Sequence, residues 1–345
     1  MWHTPNNLRH AYRWALLATA LTTVVVILGA FTRLVDAGLG CPDWPGCYGH
    51  LTWPKGAEAV AAAEAQFPEF PVEHDKTWPE MVHRYFASFL GLVIVGLTIA
   101  IFRWAAKTPH QPYPRFHILG LLALVIVQGL FGMWTVTLKL WPQVVTAHLL
   151  GGFSTLSLLW LLAQRCSGRY WQLPSHLHHR LGGLRLLTVI TLLAVIAQIT
   201  LGGWTSSNYA ALACTDFPTC HGEWWPAMDF RHAFNFAQDI GPNYLGGLLE
   251  NEARTAIHVS HRIGAVAVSL LVLLLWWKLL ALGTGKTRPL AWLLLTVLLV
   301  QVTLGITNIV GSLPLAVAVA HNAVGALLLL VLVTLTHRLF TARSC

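Results

Sequence analysis

Charged side chains are scarce in this chain of 345 residues: Asp, Glu, Lys and Arg make up only 10% of it, whereas hydrophobic residues make up 55%. A soluble domain carries about 25% charged residues, so the composition excludes a soluble globular enzyme. Disorder requires low hydrophobicity and is excluded as well. On so apolar a chain the net charge of +8 does not indicate a nucleic-acid partner. It raises the question of which side of a membrane each charge occupies.

Long apolar segments dominate the chain instead. A membrane-spanning helix needs roughly 20 mostly apolar residues. Eight windows qualify, at about 13–35, 82–104, 116–138, 143–164, 184–206, 256–278, 288–311 and 314–337. An even number of spans places both termini on one side of the membrane and the long connectors, about 36–81 and 207–255, on the other. The sequence therefore predicts an all-α polytopic protein in contact with membrane lipid.

The distribution of charge predicts the orientation. Of the 22 Lys and Arg residues, 14 fall on the side of the termini, and all 14 acids fall on the side of the long loops. Because Lys and Arg are enriched in cytoplasmic segments, both termini are expected in the cytoplasm and both long loops in the periplasm. No presequence is evident, which favours a bacterial inner membrane over a mitochondrial one.

The cysteines agree with this topology. Four lie in the outer loops and two in cytoplasmic segments: Cys41, Cys47, Cys214 and Cys220, then Cys166 and Cys345. Disulfides persist in the periplasm and not in the cytosol, so the inner pair should be free. Four outer cysteines allow three connectivities. The Cys-x5-Cys spacing favours Cys41–Cys47 and Cys214–Cys220.

An internal repeat divides the chain. Cys-Pro-Asp-Trp-Pro-Gly-Cys at 41–47 recurs as Cys-Thr-Asp-Phe-Pro-Thr-Cys at 214–220, 173 residues later. Gly29 and Gly202 have the same offset, as do His148 and His321. We expect two tandem four-helix bundles that run in the same direction, within residues 1–170 and 171–345. The first span matches the fifth, which argues against its removal as a signal peptide.

Four histidines occupy equivalent places in this repeat, at or just inside the outer ends of even-numbered spans: His83, His148, His261 and His321. Two imidazoles from facing helices suit axial ligation of a haem iron. A single interfacial histidine is ordinarily only an anchor, but the repeated position argues for ligands. Zinc is the competing metal, although a structural zinc site needs four closed ligands that the spans do not supply.

His83 and His261 are each followed by an arginine, but the residue three positions before each of them differs. Arg84 and Arg262 follow His83 and His261, and either could bind haem propionates or simply anchor a helix end. Three residues before His83 stands Glu80, on the same helix face. The same position before His261 is His258, which is a neighbour or an alternative ligand. Glu80 is either catalytic or a helix N-terminal acid favoured by the dipole.

Taken together, these features resemble the haem A synthase family: the eight spans, Glu-x-x-His-Arg at 80–84, His148, His-Arg at 261–262, His321 and the paired loop cysteines. The resemblance covers about Arg13 to Arg338. It implies an oxidoreductase that converts a methyl group of haem O to the formyl group of haem A for terminal oxidase assembly. It also implies a haem b on His261 and His321, the substrate haem on His83 and His148, and Glu80 as the essential loop glutamate.

Partners follow from the same resemblance: the farnesyltransferase that produces haem O, the oxidase assembly machinery and an unidentified electron donor. Two other functions use the same histidines. A non-enzymatic diheme cytochrome b would need all four of them but would give Glu80 no task. A haem transporter or passive assembly factor would use the two halves as a pathway without converting haem O.

Overall fold

The computed structural model describes residues 6–344, apart from the side chains of Asn6, His178 and His179. Cys345, expected to be a free thiol, lies outside this range, whereas Cys166 is buried and unpaired. Within the described residues, eight helices are long and apolar enough to cross a membrane. They are α1 (Asn6–Leu34), α3 (His74–Lys107), α4 (Arg115–Thr137), α5 (Pro142–Cys166), α6 (His178–Ser207), α8 (Asn251–Ala281), α9 (Arg288–Val310) and α10 (Leu315–Phe340). The prediction of an eight-span, all-α membrane protein is confirmed.

Short elements connect these helices. The first long loop contains α2 (Ala57–Gln66) and the second contains α7 (Phe230–Ala233), and neither helix was expected. Short 3-10 helices cover Ala37–Leu39 and Ser175–Leu177. A parallel pair of two-residue strands, β1 (Gln172–Leu173) and β2 (Arg343–Ser344), joins the segment after α5 to the end of the chain.

The helices α3 and α8 extend further toward the loops than their apolar windows. Asp75 lies in the first turn of α3, where the positive end of the helix dipole favours an acid. The long loops are therefore residues 35–73 and 208–250, shorter than the expected 36–81 and 207–255. Hydropathy detects only the part of a helix that lies in lipid. As a result, Glu80 lies within a helix and not in a loop.

Two hydrophobic cores hold the helices together. The first is built from α1, α3, α4 and α5, and the second mainly from α6, α8, α9 and α10. In α1, the fully buried residues Ala11, Ala15 and Ala18 recur at helical spacing. Small residues let membrane helices approach closely, and each helix satisfies its own backbone hydrogen bonds. The helices α1, α5, α6 and α10 make the contacts between the two groups.

The two long loops fold alike near their cysteines. Cys41 pairs with Cys47 and Cys214 with Cys220, so the predicted connectivity is confirmed. Inside the first small ring, Asp43 accepts hydrogen bonds from the backbone N–H groups of Tyr48 at 2.6 Å and Gly49 at 2.9 Å. Each ring thus places a short, cross-linked loop segment over the outer end of a helix bundle.

In the second ring, Asp216 has the corresponding role. Its carboxylate accepts from the hydroxyl of Thr219 at 2.6 Å and from the backbone N–H groups of His221 at 2.7 Å and Gly222 at 3.0 Å. These hydrogen bonds, that of Thr219 first, hold the pKa of Asp216 below its ordinary value of 3.8. Because the folded pKa is depressed, the carboxylate stabilises the loop above the ordinary pKa and loses this effect as the pH falls through the folded value.

We expect the amides of His221 and Gly222 to keep constant hydrogen-exchange protection from neutral pH to about pH 4 and to lose it only in stronger acid. Asp216→Asn should weaken their protection at every pH. Exchange followed by mass spectrometry, corrected for the intrinsic rate, measures both effects. Asp239→Asn, an exposed acid of the same loop, is the matched control. Equal protection in the Asp216 and Asp239 variants would contradict the assignment.

Candidate functional site: two histidine pairs near the outer ends of the helices

The four repeated histidines lie in the first third of their helices, on the side of the long loops. His83 is in α3, His148 in α5, His261 in α8 and His321 in α10. His83 lies close enough to His148 for a charge on one ring to affect the other, and the same holds for His261 and His321. The structure therefore brings together the two pairs that the repeat suggested, one in each half.

Each of these imidazoles packs against a glycine on the preceding spanning helix. A Cβ atom added to Gly29 would lie 2.9 Å from Cε1 of His83. The corresponding distances to the same ring atom are 3.2 Å from Gly202 to His261, 3.1 Å from Gly305 to His321 and 3.5 Å from Gly132 to His148. The missing side chains of Gly29, Gly202 and Gly305 make room for the rings of His83, His261 and His321, whereas a Cβ at Gly132 would meet His148 at an ordinary contact distance.

We expect Gly29→Ala to lower the stability of the protein by about 1–3 kcal/mol, because the new methyl group overlaps the ring of His83. Gly132→Ala is the matched control, since its Cβ would meet His148 at an ordinary contact distance of 3.5 Å. The apparent melting temperature of the detergent-solubilised variants measures the difference. Equal melting temperatures for the two variants would show that the ring of His83 moves away at no cost.

Glu80 is buried beside the first pair, with only 4% of its surface exposed. It accepts a hydrogen bond from the backbone N–H of Cys41 at 2.9 Å and forms an ion pair with Arg84. Arg84 also donates to the backbone carbonyls of Asp43 at 3.0 Å and Gly46 at 2.6 Å. The carboxylate is therefore held between a helix and the disulfide-bonded ring, one helical turn from His83.

His258 takes the equivalent place in the second half. It is buried, and its Nδ1 lies 2.9 Å from the carbonyl oxygen of Ala210. A carbonyl only accepts hydrogen bonds, so Nδ1 carries the proton and donates it. This contact ties His258 to the start of the second long loop, just after α6, while the neighbouring His261 lies close to His321. The arrangement favours His261 over His258 as a partner of His321.

The two arginines bind the loops. Arg262 donates to the carbonyls of Thr219 and Asp216, each at 2.8 Å, just as Arg84 binds the first loop. Their proposed contacts with haem propionates stay predictions. In the structure both guanidinium groups hold the disulfide-bonded rings against the helices. No pattern in the sequence distinguished carbonyl partners from carboxylates.

The site also includes a residue that sequence reasoning passed over. Gln198 of α6 lies with its Nε2 atom 3.1 Å from Nδ1 of His261 and 2.9 Å from the carbonyl oxygen of the same residue. A polar residue within a membrane span was the available signal, because such residues are rare and usually functional. The repeat does not reveal it, since the equivalent residue in the first half is Val25.

The side chains available as ligands limit which metal-containing group the two sites can hold. Among the described residues, no group of three or more His, Cys, Asp and Glu side chains is placed to hold a metal ion. Two imidazoles per site are sufficient for an iron whose other ligands come from a porphyrin. Nδ1 of His148 and of His321 is buried without a hydrogen-bond partner in the described part of the chain. Buried ring nitrogens that the described residues leave unpaired suit axial haem ligands.

Eight spanning helices, two disulfide-bonded outer loops and two pairs of helix-borne histidines define a polytopic membrane protein with two paired-imidazole sites. Comparison with known proteins then identifies the family. The chain belongs to the COX15-CtaA family, described as Cytochrome oxidase assembly protein, whose family model matches residues 12–333.

Curated relatives extend over nearly the whole chain. The protein named Heme A synthase of Shewanella oneidensis is 46% identical over 334 residues, which cover 96% of this chain and 97% of the relative. The protein of the same name from Beijerinckia indica is 28% identical over 348 residues, covering 95% of this chain and 92% of the relative. The family resemblance seen in the sequence is confirmed.

Proposed function

We propose that this protein is an oxidoreductase with haem A synthase activity, which oxidises a methyl group of haem O to the formyl group of haem A. The observation that carries the proposal is the single buried carboxylate, Glu80, one turn from His83, in only one of two otherwise similar histidine pairs. A protein that only carries electrons would not need a carboxylate beside one histidine pair and an imidazole beside the other. The relatives named Heme A synthase support the same reaction.

We further propose that the chain consists of two similar halves, residues 1–170 and 171–345, related by an approximate two-fold axis along the membrane normal. In a two-fold arrangement, equivalent residues near the axis meet each other. Trp160 donates to the hydroxyl of Thr334 at 2.7 Å, and these residues are 174 apart. Arg33 donates to the carbonyl of Ser206 at 2.5 Å, and these are 173 apart, the offset of the repeat.

Each half would hold one haem. His83 and His148 would bind the substrate haem, and His261 and His321 would bind a haem b. When bound, a haem b supplies reversible one-electron transfer. Tight packing against Gly29, Gly202 and Gly305 restricts the rings of His83, His261 and His321, so less ordering of side chains would remain to oppose binding.

Glu80 would act on the reacting methyl group. Cys41 and Arg84 fix its position, and burial removes the carboxylate from bulk water. In such a low-dielectric place a carboxylate can accept a proton or stabilise developing positive charge far better than in water. The ion pair with Arg84 favours the ionised form of the carboxylate. His258 in the second half has no charge to offer in this way, which fits a haem that only transfers electrons.

The location follows from the charge distribution. We propose a bacterial inner membrane, with both termini in the cytoplasm and both disulfide-bonded loops in the periplasm. The haem sites would then open near the periplasmic surface. Here the protein would receive haem O from a farnesyltransferase, take electrons from a donor and deliver haem A to the oxidase assembly machinery.

Conversion of haem O by the purified full-length protein tests the proposal. Supplied with haem O, oxygen and a chemical reductant, the protein should yield haem A, detected by pigment extraction and mass spectrometry. A diheme cytochrome would yield haem b only, and a transporter would release haem O unchanged. Either of these results, with fully reduced protein, would contradict the enzymatic function.

A further inference from the structure

The proposed reaction does not explain one of the polar contacts that distinguish the two histidine pairs. In the second half, the amide of Gln198 reaches from α6 to α8 and contacts both the ring and the backbone carbonyl of His261. In the first half, the residue 173 positions earlier is Val25, whose apolar side chain can offer His83 no hydrogen bond. The ring of His261 is therefore tied to the adjacent helix by a side chain, and that of His83 is not.

A specific notch accommodates the glutamine. A Cβ atom at Gly264 would lie only 2.1 Å from Oε1 of Gln198, so any side chain at this position would displace the amide. The position equivalent to Gly264, 178 residues earlier as for the two His-Arg pairs, is Phe86. The second half thus has a matched Gln198–Gly264 pair where the first half has Val25 and Phe86. Two coordinated differences at one contact indicate a built arrangement.

The chemistry of the amide suits a metal-bound imidazole. A histidine that binds metal through one ring nitrogen almost always uses the other in a hydrogen bond, which fixes the ring and raises its basicity. The Nε2 group of Gln198 now faces Nδ1 of His261, and its Oε1 atom is buried without a partner in the described structure. Rotation of the amide by half a turn would let Oε1 accept a hydrogen bond from Nδ1–H. One side chain can therefore hold the ring in either tautomer.

We propose that Gln198 is a positioning residue that fixes His261 as an axial ligand and makes the second haem site a resident one. The inference rests on the proposed function, in which a haem b stays on His261 and His321 while the substrate haem enters and leaves the first half. A ring that is already fixed loses less freedom on ligation, so it binds more tightly. The first half has no such side chain on His83, as a site that must release its product requires.

Purified full-length Gln198→Leu protein tests the inference by its haem b content, its midpoint potential and its electron paramagnetic resonance spectrum. Leu fills similar space without an amide. Loss of an outer-shell partner typically costs 10–100-fold in affinity, so we expect at least about 10-fold weaker haem b retention. The midpoint potential should rise, because a less basic imidazole stabilises ferric iron less. Gln198→Glu, with a stronger acceptor, should lower the potential.

Gln128→Leu is the matched control, because Gln128 is lodged against Gly151 in the first half. It should leave the retention and potential of haem b unchanged. If Gln198→Leu keeps haem b with an unchanged potential, the inference is wrong. The inference is also wrong if Gln198→Leu and Gln198→Glu shift the midpoint potential in the same direction, because a packing defect would have that effect. If Gln198→Leu cannot be purified, the sign of the shift in Gln198→Glu decides.

Failure of the proposed function gives a different result. In that case purified wild-type protein would not convert haem O to haem A, whatever Gln198→Leu does to the retention of haem b. If a haem is present in the wild type and is lost in His261→Ala, the site assignment stands whatever Gln198→Leu shows. The two hypotheses are therefore tested separately by the same set of purified proteins.

Discussion

Glu80→Ala should abolish the formation of haem A while leaving the haem b of the second half in place. The carboxylate is buried one turn from His83, and proton transfer by a positioned side chain typically contributes about 10²–10⁴-fold to a rate. We therefore expect at least about a 100-fold decrease in conversion of haem O. Extracted pigments from cells and from the purified variant would show haem O and haem b without haem A. Undiminished haem A would rule out a catalytic role.

Two further variants separate chemistry from structure, because Glu80 also accepts the hydrogen bond of Cys41. Glu80→Gln keeps an acceptor for that N–H group but carries no charge. It should preserve both disulfides and the haem b content, yet remain inactive. Glu69→Ala, which removes an exposed acid of the same loop, should convert haem O as the wild type does. An active Glu80→Gln protein would show that the charge is not required.

His261→Ala should remove the low-spin signal of the retained haem completely. Two imidazole ligands make the iron six-coordinate and low-spin, and alanine cannot replace one of them. Electron paramagnetic resonance and reduced-minus-oxidised absorbance spectra of the purified variant measure this loss. The electron supply would fail with it, so haem A formation should also stop. The substrate haem site in the first half should still bind haem O.

His258→Ala is the control for this ligand assignment. Because His261 lies near His321, removal of the His258 ring should leave the low-spin spectrum intact and only release the contact with Ala210, just after α6. An unchanged spectrum in His261→Ala, together with a lost signal in His258→Ala, would assign the ligand to His258. The haem spectrum and the ratio of haem to protein should both be measured, so that loss of a ligand is distinguished from unfolding of the protein.

Much of the fold was predictable because lipid leaves the chain few choices. A backbone in hydrocarbon must satisfy its own hydrogen bonds, so every long apolar window had to be a helix. The disulfide pairing was also predictable, because five intervening residues bring Cys41 near Cys47 and Cys214 near Cys220. The helix ends were less predictable. The start of α3 at His74 depends on a polar first turn that hydropathy does not register.

The positions of the four histidines on their helices were predictable from the sequence, but their contacts were not. The repeat indicated His83, His148, His261 and His321 because it preserved their positions. It did not reveal that glycines make room for the rings, since a glycine in a span is compatible with many neighbours. It could not show that Arg84 binds loop carbonyls, because a guanidinium group suits any acceptor within reach.

The sequence by itself determined a membrane protein with eight spans, through its scarcity of charge and its apolar windows, and the placement of Lys and Arg predicted its orientation. These properties can be read from the sequence because each is a total of hydropathy or charge over a whole segment. Only the tertiary structure decided which side chains meet. Glu80 reaches the backbone of Cys41, and Gln198 reaches His261 through the notch at Gly264, across distances of 39 and 63 residues along the chain. Such contacts depend on how helices rotate and pack against each other, which the periodicity of one segment does not encode.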